Sequence, residues 1–227
     1  MTVAQQSVPA ADSRWASLTP VGTEVHARVQ PLQEGVLANR SAAVAGLARL
    51  RRGVGKPAGS VNEILQYTVS EKFAGPGAGD GPTPAETAAH VALTLYAVHQ
   101  QSQRKRMHQR GWGLGRSVRM LHPQEFDANV PPVLRRFQSL GTAQSIDELV
   151  HHLRGTVQLL RGQATPLDYA LLADELVLWH RPGGASIVRL RWGRAFYRTP
   201  NPDEPVTDDP GSAQNTGLSP DQPTDSP

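Results

Sequence analysis

Between Ser145 and Arg161 the chain spells out one helix almost completely. Ser145-Ile-Asp-Glu148 is a capping-box pattern, in which a hydroxyl and a glutamate satisfy the first free N–H groups of a helix. Ile146, Leu149, Leu153, Val157 and Leu160 then recur at three- and four-residue spacing as a single apolar stripe. A stripe of that kind has to be covered by something, and the rest of the sequence supplies helices with which to cover it.

In chain order, residues 1–20 are polar and without period, and read as a flexible arm. A helix is expected from Thr23 to Leu37, with Val25, Val29, Leu32 and Val36 on one face and Pro31 kinking or splitting it. A second runs from about Ser41 to Arg52, with Val44, Leu47 and Leu50 apolar and Gly53 as the residue after its cap. Gly53 to Ser60 is a Gly/Pro linker, Val61 to Phe73 a short helix, and Gly75 to Pro84 a loop by composition. Thr83, Pro84 and Glu86 mark the start of a central helix that is expected to run to about Arg110. Ser117 to Leu121 resumes for a turn or two before Pro123, and Val133 to Leu140 ends at Gly141. Thr165-Pro-Leu-Asp168 opens the next helix, whose stripe is Leu167, Leu171, Leu172, Leu176 and Trp179, with Pro182-Gly-Gly184 as its stop.

Ile187 to Arg198 is the one ambiguous stretch. Val188, Leu190 and Trp192 alternate with arginines as in a strand, yet Val188, Trp192, Ala195 and Phe196 also share a helix face. A lone strand would have no partner, so helix is the expectation. The fold class is therefore all-α. The expected organisation is an N-terminal helical domain over 21–122, a C-terminal helical bundle over 130–198, and an acidic, Pro-rich tail over 199–227. The tail is too poor in apolar residues to order itself.

With no cysteine among its 227 residues, the chain has neither disulfides nor thiolate zinc sites, which suits a reducing cytoplasm. No run approaches the roughly 20 apolar residues of a membrane span. The first residues lack the basic-then-apolar order of a secretory signal. Charge is more informative. Residues 201–227 hold six acids and no Lys or Arg, which leaves 23 basic against 14 acidic groups in residues 1–200, a net of +9. A folded part so basic favours a polyanionic partner. Only Lys56, Lys72 and Lys105 are lysines, a bias that codon usage explains as well as phosphate recognition does.

The charge concentrates in 85–121, an Ala-rich apolar helix that turns into Arg104, Lys105, Arg106, Arg110, Arg116 and Arg119, with Glu86 the only acid. A solvated helix face usually mixes signs, so an unpaired basic run points to nucleic acid. The last turn of the second helix adds Arg49, Arg51 and Arg52, more than a helix dipole needs.

Catalysis finds little support. Most acids of the folded part stand in first turns of helices, and Asp174-Glu175 reads as a solvated face, so neither a metal-dependent nuclease nor a nucleophile–base hydrolase is indicated. No catalytic residue, metal ligand or cofactor is expected. His151 and His152 are adjacent and point about 100° apart, while His99 and His108 fall on opposite faces of the expected helix. Gly111-x-Gly-x-Gly115 follows a helix and lacks the third glycine of a dinucleotide fingerprint. These glycines either allow a close backbone approach or make a turn. Trp112 between them either stacks a base or packs in the core.

Several stretches together resemble the CasB family, the small subunit of the type I-E CRISPR surveillance complex Cascade. They are Ala48-Arg-Leu-Arg-Arg-Gly53, Leu95-Tyr-Ala-Val-His-Gln100, His108 with Gly113-Leu-Gly-Arg-Ser117, Arg135-Arg136-Phe137, the Leu149-to-Leu160 helix, Pro166-Leu-Asp-Tyr169 with Leu178-Trp179, and Arg191-Trp192 with Phe196-Tyr197. The resemblance spans about 24–198 and leaves out loop 75–84 and the tail. It implies an all-helical, non-enzymatic subunit present as two head-to-tail copies beside the other Cascade subunits and the guide RNA. It also implies a role in stabilising the R-loop of target DNA and holding the displaced non-target strand. Arg51, Arg52, Arg116, Arg135 and Arg136 carry over from it as nucleic-acid-binding positions, while Arg104, Lys105, Arg106, Arg110 and Arg119 rest on charge alone. A free-standing helical DNA-binding protein and a protein-interaction scaffold are the alternatives.

Overall fold

Nine α-helices occupy the described residues of the computed structural model, which are 17–122 and 132–197. They are α1 (Pro20–Leu37), α2 (Ser41–Arg51), α3 (Leu65–Thr68, preceded by a 3-10 turn at Asn62–Ile64), α4 (Pro84–Gln100), α5 (Leu114–Met120), α6 (Pro132–Thr142), α7 (Ile146–Gly162), α8 (Tyr169–Trp179) and α9 (Gly184–Tyr197). No strand occurs among these residues; one isolated parallel bridge joins His108 to Leu167. The expected arm, apart from residues 17–20, and the acidic tail lie outside the described residues.

The central element is α4. Thr83 accepts from the Glu86 N–H at 3.0 Å and the Glu86 carboxylate accepts from the Thr83 N–H at 2.8 Å, a complete capping box with Pro84 in the first turn. Such a cap contributes about 1 kcal/mol. From Ala88 to Gln100 every residue except Val98 is buried. A helix apolar on all sides belongs inside, and its alanines let α1, α2, α7 and α8 close around it. Residues of α1, α2, α4, α5, α6, α7, α8 and α9 join in one buried cluster.

The start of α7 uses half of its expected box. The Ser145 hydroxyl accepts from Glu148 N–H, but the Glu148 carboxylate accepts from the N–H of Gln144 instead of Ser145. Its apolar stripe faces inward as expected, with Leu149, Leu153, Val157 and Leu160 fully buried. The ambiguous stretch is helical: α9 buries Val188, Trp192 and Phe196 and begins at Gly184, a residue read as a stop.

Four expectations are corrected. α1 starts at Pro20 with Thr19 as its cap and runs unbroken through Pro31; Ala27, whose carbonyl that ring leaves unpaired, is exposed and can turn to water. Val44 is exposed, because α2 presents Gly46, Leu47 and Leu50 to the core. The helix expected over Val61–Phe73 ends at Thr68. The central helix stops at Gln100, ten residues early. There Gln101 leaves helical geometry and Ser102 takes a φ of 61°. The Gln100 side chain donates to the carbonyls of Gln103 (3.2 Å) and Lys105 (2.9 Å) and accepts from Met107 N–H (3.1 Å), so one amide organises the whole return.

Candidate nucleic-acid interface

Arg104, Lys105, Arg106 and Arg110 of the basic run therefore lie on a loop, 101–113, clamped at both ends by neighbouring helices, whereas Arg116 and Arg119 lie on α5. At one end Gln103 Nε2 donates to the Arg161 carbonyl (3.0 Å) and Arg161 Nε donates to the Gln101 carbonyl (3.1 Å), tying the loop to the end of α7. At the other end Asp168, 1 % exposed, is the anchor. One carboxylate oxygen accepts from the N–H groups of Ala170 and Leu171 (3.1 Å each), capping α8, whose cap residue is thus Asp168 and not Thr165. The other accepts from Gly111 N–H (2.9 Å) and Arg110 Nε (3.0 Å).

Histidines that sequence spacing keeps apart meet beneath this loop. His108 Nδ1 accepts from Tyr169 N–H (3.1 Å), which leaves Nε2–H to donate to His26 Nδ1 at 2.9 Å. The Gln33 amide clasps the His108 backbone through both its N–H and its carbonyl. His99 Nδ1 meets the Tyr169 hydroxyl at 2.8 Å. Burial holds His99 and His108 near a pKa of about 4, so both are neutral packing groups. Among the described residues no three His, Cys, Asp or Glu side chains gather as metal ligands.

The Asp174-Glu175 pair is also corrected, since neither carboxylate forms a solvated face. Asp174 accepts from the N–H groups of Thr19 (2.9 Å) and Gly22 (2.7 Å) and from the Thr19 hydroxyl, closing the start of α1. Glu175 is 4 % exposed and accepts from the Trp192 indole N–H at 2.7 Å. Burial pushes its pKa up to about 7, against the lowering effect of that indole.

The ten candidate basic residues separate into three groups. Arg110, Arg116 and Arg119 are engaged within the fold. Arg110 binds Asp168, the Arg116 guanidinium lies 4.4 Å from the centroid of the half-buried Trp112 ring, and Arg119 is buried and donates to the His122 carbonyl. Arg104 and Lys105 are exposed on the clamped loop, with Arg106 half-buried beside them. Arg51, Arg52, Arg135 and Arg136 form the third group, in which Arg52 pairs with Glu63.

The glycines of 111–115 do both jobs foreseen for them. Gly111 turns with a φ of 79°, and at Gly115 a Cβ would overlap the Trp192 carbonyl oxygen and stand 2.9 Å from Ala195 Cβ. That is where α5 and α9 touch backbone to backbone.

What joins the third group is α7, which sequence reasoning used only for its core stripe. Arg154 reaches toward the loop that follows α2: a Cβ on Gly55 would stand 3.8 Å from its Nη1. Arg136 of α6 lies across α7 at Gly155, where a Cβ would stand 3.0 Å from its Nη1. Arg161, seven residues beyond Arg154, is on the same face about 10 Å further along, where it holds the 101–113 loop. α7 thus carries Arg154 and, against Gly155, Arg136 of α6, and it faces the loop that follows the Arg51–Arg52 end of α2, while its Arg161 holds the loop that bears Arg104 and Lys105. Among the described residues no acid pairs with Arg51, Arg135, Arg136 or Arg154. The signal for Arg154 and Arg161 was their heptad spacing beside the buried stripe.

Comparison with known proteins agrees with this architecture. Residues 46–197 match the family model of the CRISPR-associated protein Cse2. The chain is similar to the crystal structure of CasB from Thermobifida fusca, with 46 % identity, a TM-score of 0.69, and coverage of 80 % of this chain and 100 % of that one. It is also similar to a CRISPR-associated protein of the Cse2 family from Thermus thermophilus, with 26 % identity, a TM-score of 0.57, and coverage of 78 % and 97 %. No curated protein matches the chain. With its all-helical fold, the match over most of its folded length and these two structures, the chain belongs to the CRISPR-associated Cse2 (CasB) family, the small subunit of type I-E Cascade.

Proposed function

We propose that this subunit stabilises the Cascade R-loop by holding the displaced non-target strand on the belt formed by Arg51, Arg135, Arg136 and Arg154, without catalysing a reaction. The observation that carries the reading is the gathering of Arg136 at Gly155 and of Arg154 beside the loop after α2, with no acid paired to either among the described residues. Guanidinium groups spread over several elements meet a flexible phosphate chain without reading its sequence, and each phosphate neutralised releases counterions. Exchange of a DNA duplex for an RNA–DNA duplex is nearly balanced, so a few kcal/mol of backbone contacts decide whether the loop stays open. The partners in this reading are the other Cascade subunits, the guide RNA, the target DNA and a second copy lying head-to-tail, all in the cytoplasm and away from any membrane.

The test is Cascade assembled with the Arg136→Ala/Arg154→Ala subunit. Co-purification with the other subunits and guide RNA is expected to be unchanged, while R-loop lifetime on target DNA shortens at least several-fold. An unchanged lifetime would remove the belt from the strand's path.

A further inference from the structure

Arg116 is held in the fold in a way that leaves its hydrogen-bonding chemistry open. Its guanidinium lies over the Trp112 ring, 4.4 Å from the centroid, and both side chains are half-buried. A contact through the ring face uses none of the five N–H donors of a guanidinium. Among the described residues no carbonyl and no acid takes up those donors. Arg110 and Arg119, by contrast, are bonded to Asp168 and to the His122 carbonyl.

Both halves of the stack are fixed to the core. The Trp112 carbonyl accepts from Asp168 N–H (2.7 Å) and from the Ser117 hydroxyl (3.2 Å), and the Asp168 carboxylate also binds Gly111. Arg116 projects from α5, which Gly115 lets settle on the backbone of α9. α5 also packs against α6 and α7, the helices that carry Arg136 and Arg154. An arginine on an open surface loses rotamer freedom when it grips an anion, whereas one already laid over an indole has lost part of it beforehand. The result is a planar cationic fork whose position is set and whose donors the described residues do not use. Such a fork matches the paired oxygens of a phosphate.

We propose that Trp112 is a positioning residue, which holds the Arg116 guanidinium for one phosphate of the bound nucleic-acid strand, and that no base stacks on the indole. The stack stands on geometry; its ligand rests on the reading of this chain as a strand-binding subunit. A carboxylate of a neighbouring protein subunit would fit the same fork, and the test separates the two.

The test is oligothymidine binding by the full chain between about 0.05 and 1 M salt, a range over which one phosphate contact is worth about eightfold in affinity. Arg116→Ala is expected to lose about that much at the low-salt end and to flatten the log–log slope by about 0.7. Trp112→Leu should lose most of the same affinity, and Trp112→Phe should restore most of it by supplying another aromatic face. In the Arg116→Ala background, Trp112→Leu should change nothing further, a non-additivity that a purely structural indole would not give. Unchanged affinity and slope for Arg116→Ala, which leaves the indole in place, would overturn the proposal. If Arg136→Ala/Arg154→Ala still flattened the slope, the strand reading would survive that failure. Equal losses from Trp112→Leu in both backgrounds would make the indole a base platform and overturn the positioning role. In assembled Cascade, a shortened R-loop lifetime for Arg116→Ala puts the phosphate on target DNA, and loss of guide RNA on co-purification puts it on the guide. Loss of a protein subunit, with single-strand affinity unaltered, would assign the fork to a carboxylate and sink the proposal.

Discussion

Replacing Asp168 by Ala tests whether one buried carboxylate holds both the start of α8 and the basic loop. Its two bonds to Ala170 and Leu171 are an N-terminal cap, whose loss costs about 1 kcal/mol. Its bonds to Gly111 N–H and Arg110 Nε are lost together, in a site where the carboxylate is 1 % and the Arg110 side chain 25 % exposed. Breaking a buried pair costs about 3–5 kcal/mol when the surviving charge is trapped. Here Arg110 is able to turn to water, so roughly 2–3 kcal/mol is the reasonable share. The total is about 3–4 kcal/mol, or roughly 10 °C in melting temperature for a fold of this size. Asp168→Asn satisfies either the cap or the loop with its amide oxygen but not both, and should lose about 2 kcal/mol. A double-mutant cycle with Arg110→Met should give a coupling of about 1–2 kcal/mol. Urea denaturation measures all three, and trypsin supplies a local readout, since cleavage after Arg104 to Arg106 should accelerate while helix content stays high. A loss below 1 kcal/mol for the alanine variant, or a vanishing coupling, would refute the anchoring role.

Three further outcomes are expected. Gly115→Ala should lower stability by about 3 kcal/mol in thermal denaturation despite alanine's better helix propensity, because its Cβ would collide with α9 backbone. Glu175 has a folded pKa near 7, above the usual 4.5, so its stabilising contribution is complete below about pH 4.5 and is lost as pH rises through 7. Relative to Glu175→Gln, the natural protein should therefore lose about 2–3 kcal/mol between pH 5 and pH 8, whereas His99 and His108 act oppositely and equally in both proteins. Arg136→Ala/Arg154→Ala should flatten the log–log salt dependence of oligothymidine binding by about 1.4, while Arg110→Ala leaves that slope unchanged and lowers stability.

Much of the fold was legible because its helices carry local signals. Ser145, Thr83 and the stripe from Leu149 to Leu160 act within a turn or two of themselves, and the structure uses them with minor shifts. What was not legible depends on side-chain contacts that no local pattern marks. The central helix looked long because nothing local to Gln100 announces that its amide will capture Lys105 and Met107. Asp174 and Glu175 looked solvated because their partners, Thr19 and Trp192, are 155 and 17 residues away. The basic run was found, but its internal commitments at Arg110 and Arg119 were hidden, as was the role of α7 in connecting the remaining arginines. Charge counting sees the number of arginines; only packing tells which of them are already engaged.

The closure of α1 by Asp174 has a consequence for synthesis on the ribosome. Thr19 and Gly22 emerge more than 150 residues before the carboxylate that receives their N–H groups. At about 5–20 residues per second, the first helix waits on the order of ten seconds or more for its partner. Until α8 is made, Val21, Val25 and Val29, all destined for the interior, lack one of the helices that pack on α1. Slower translation before α8 therefore lengthens the exposure of this face of α1.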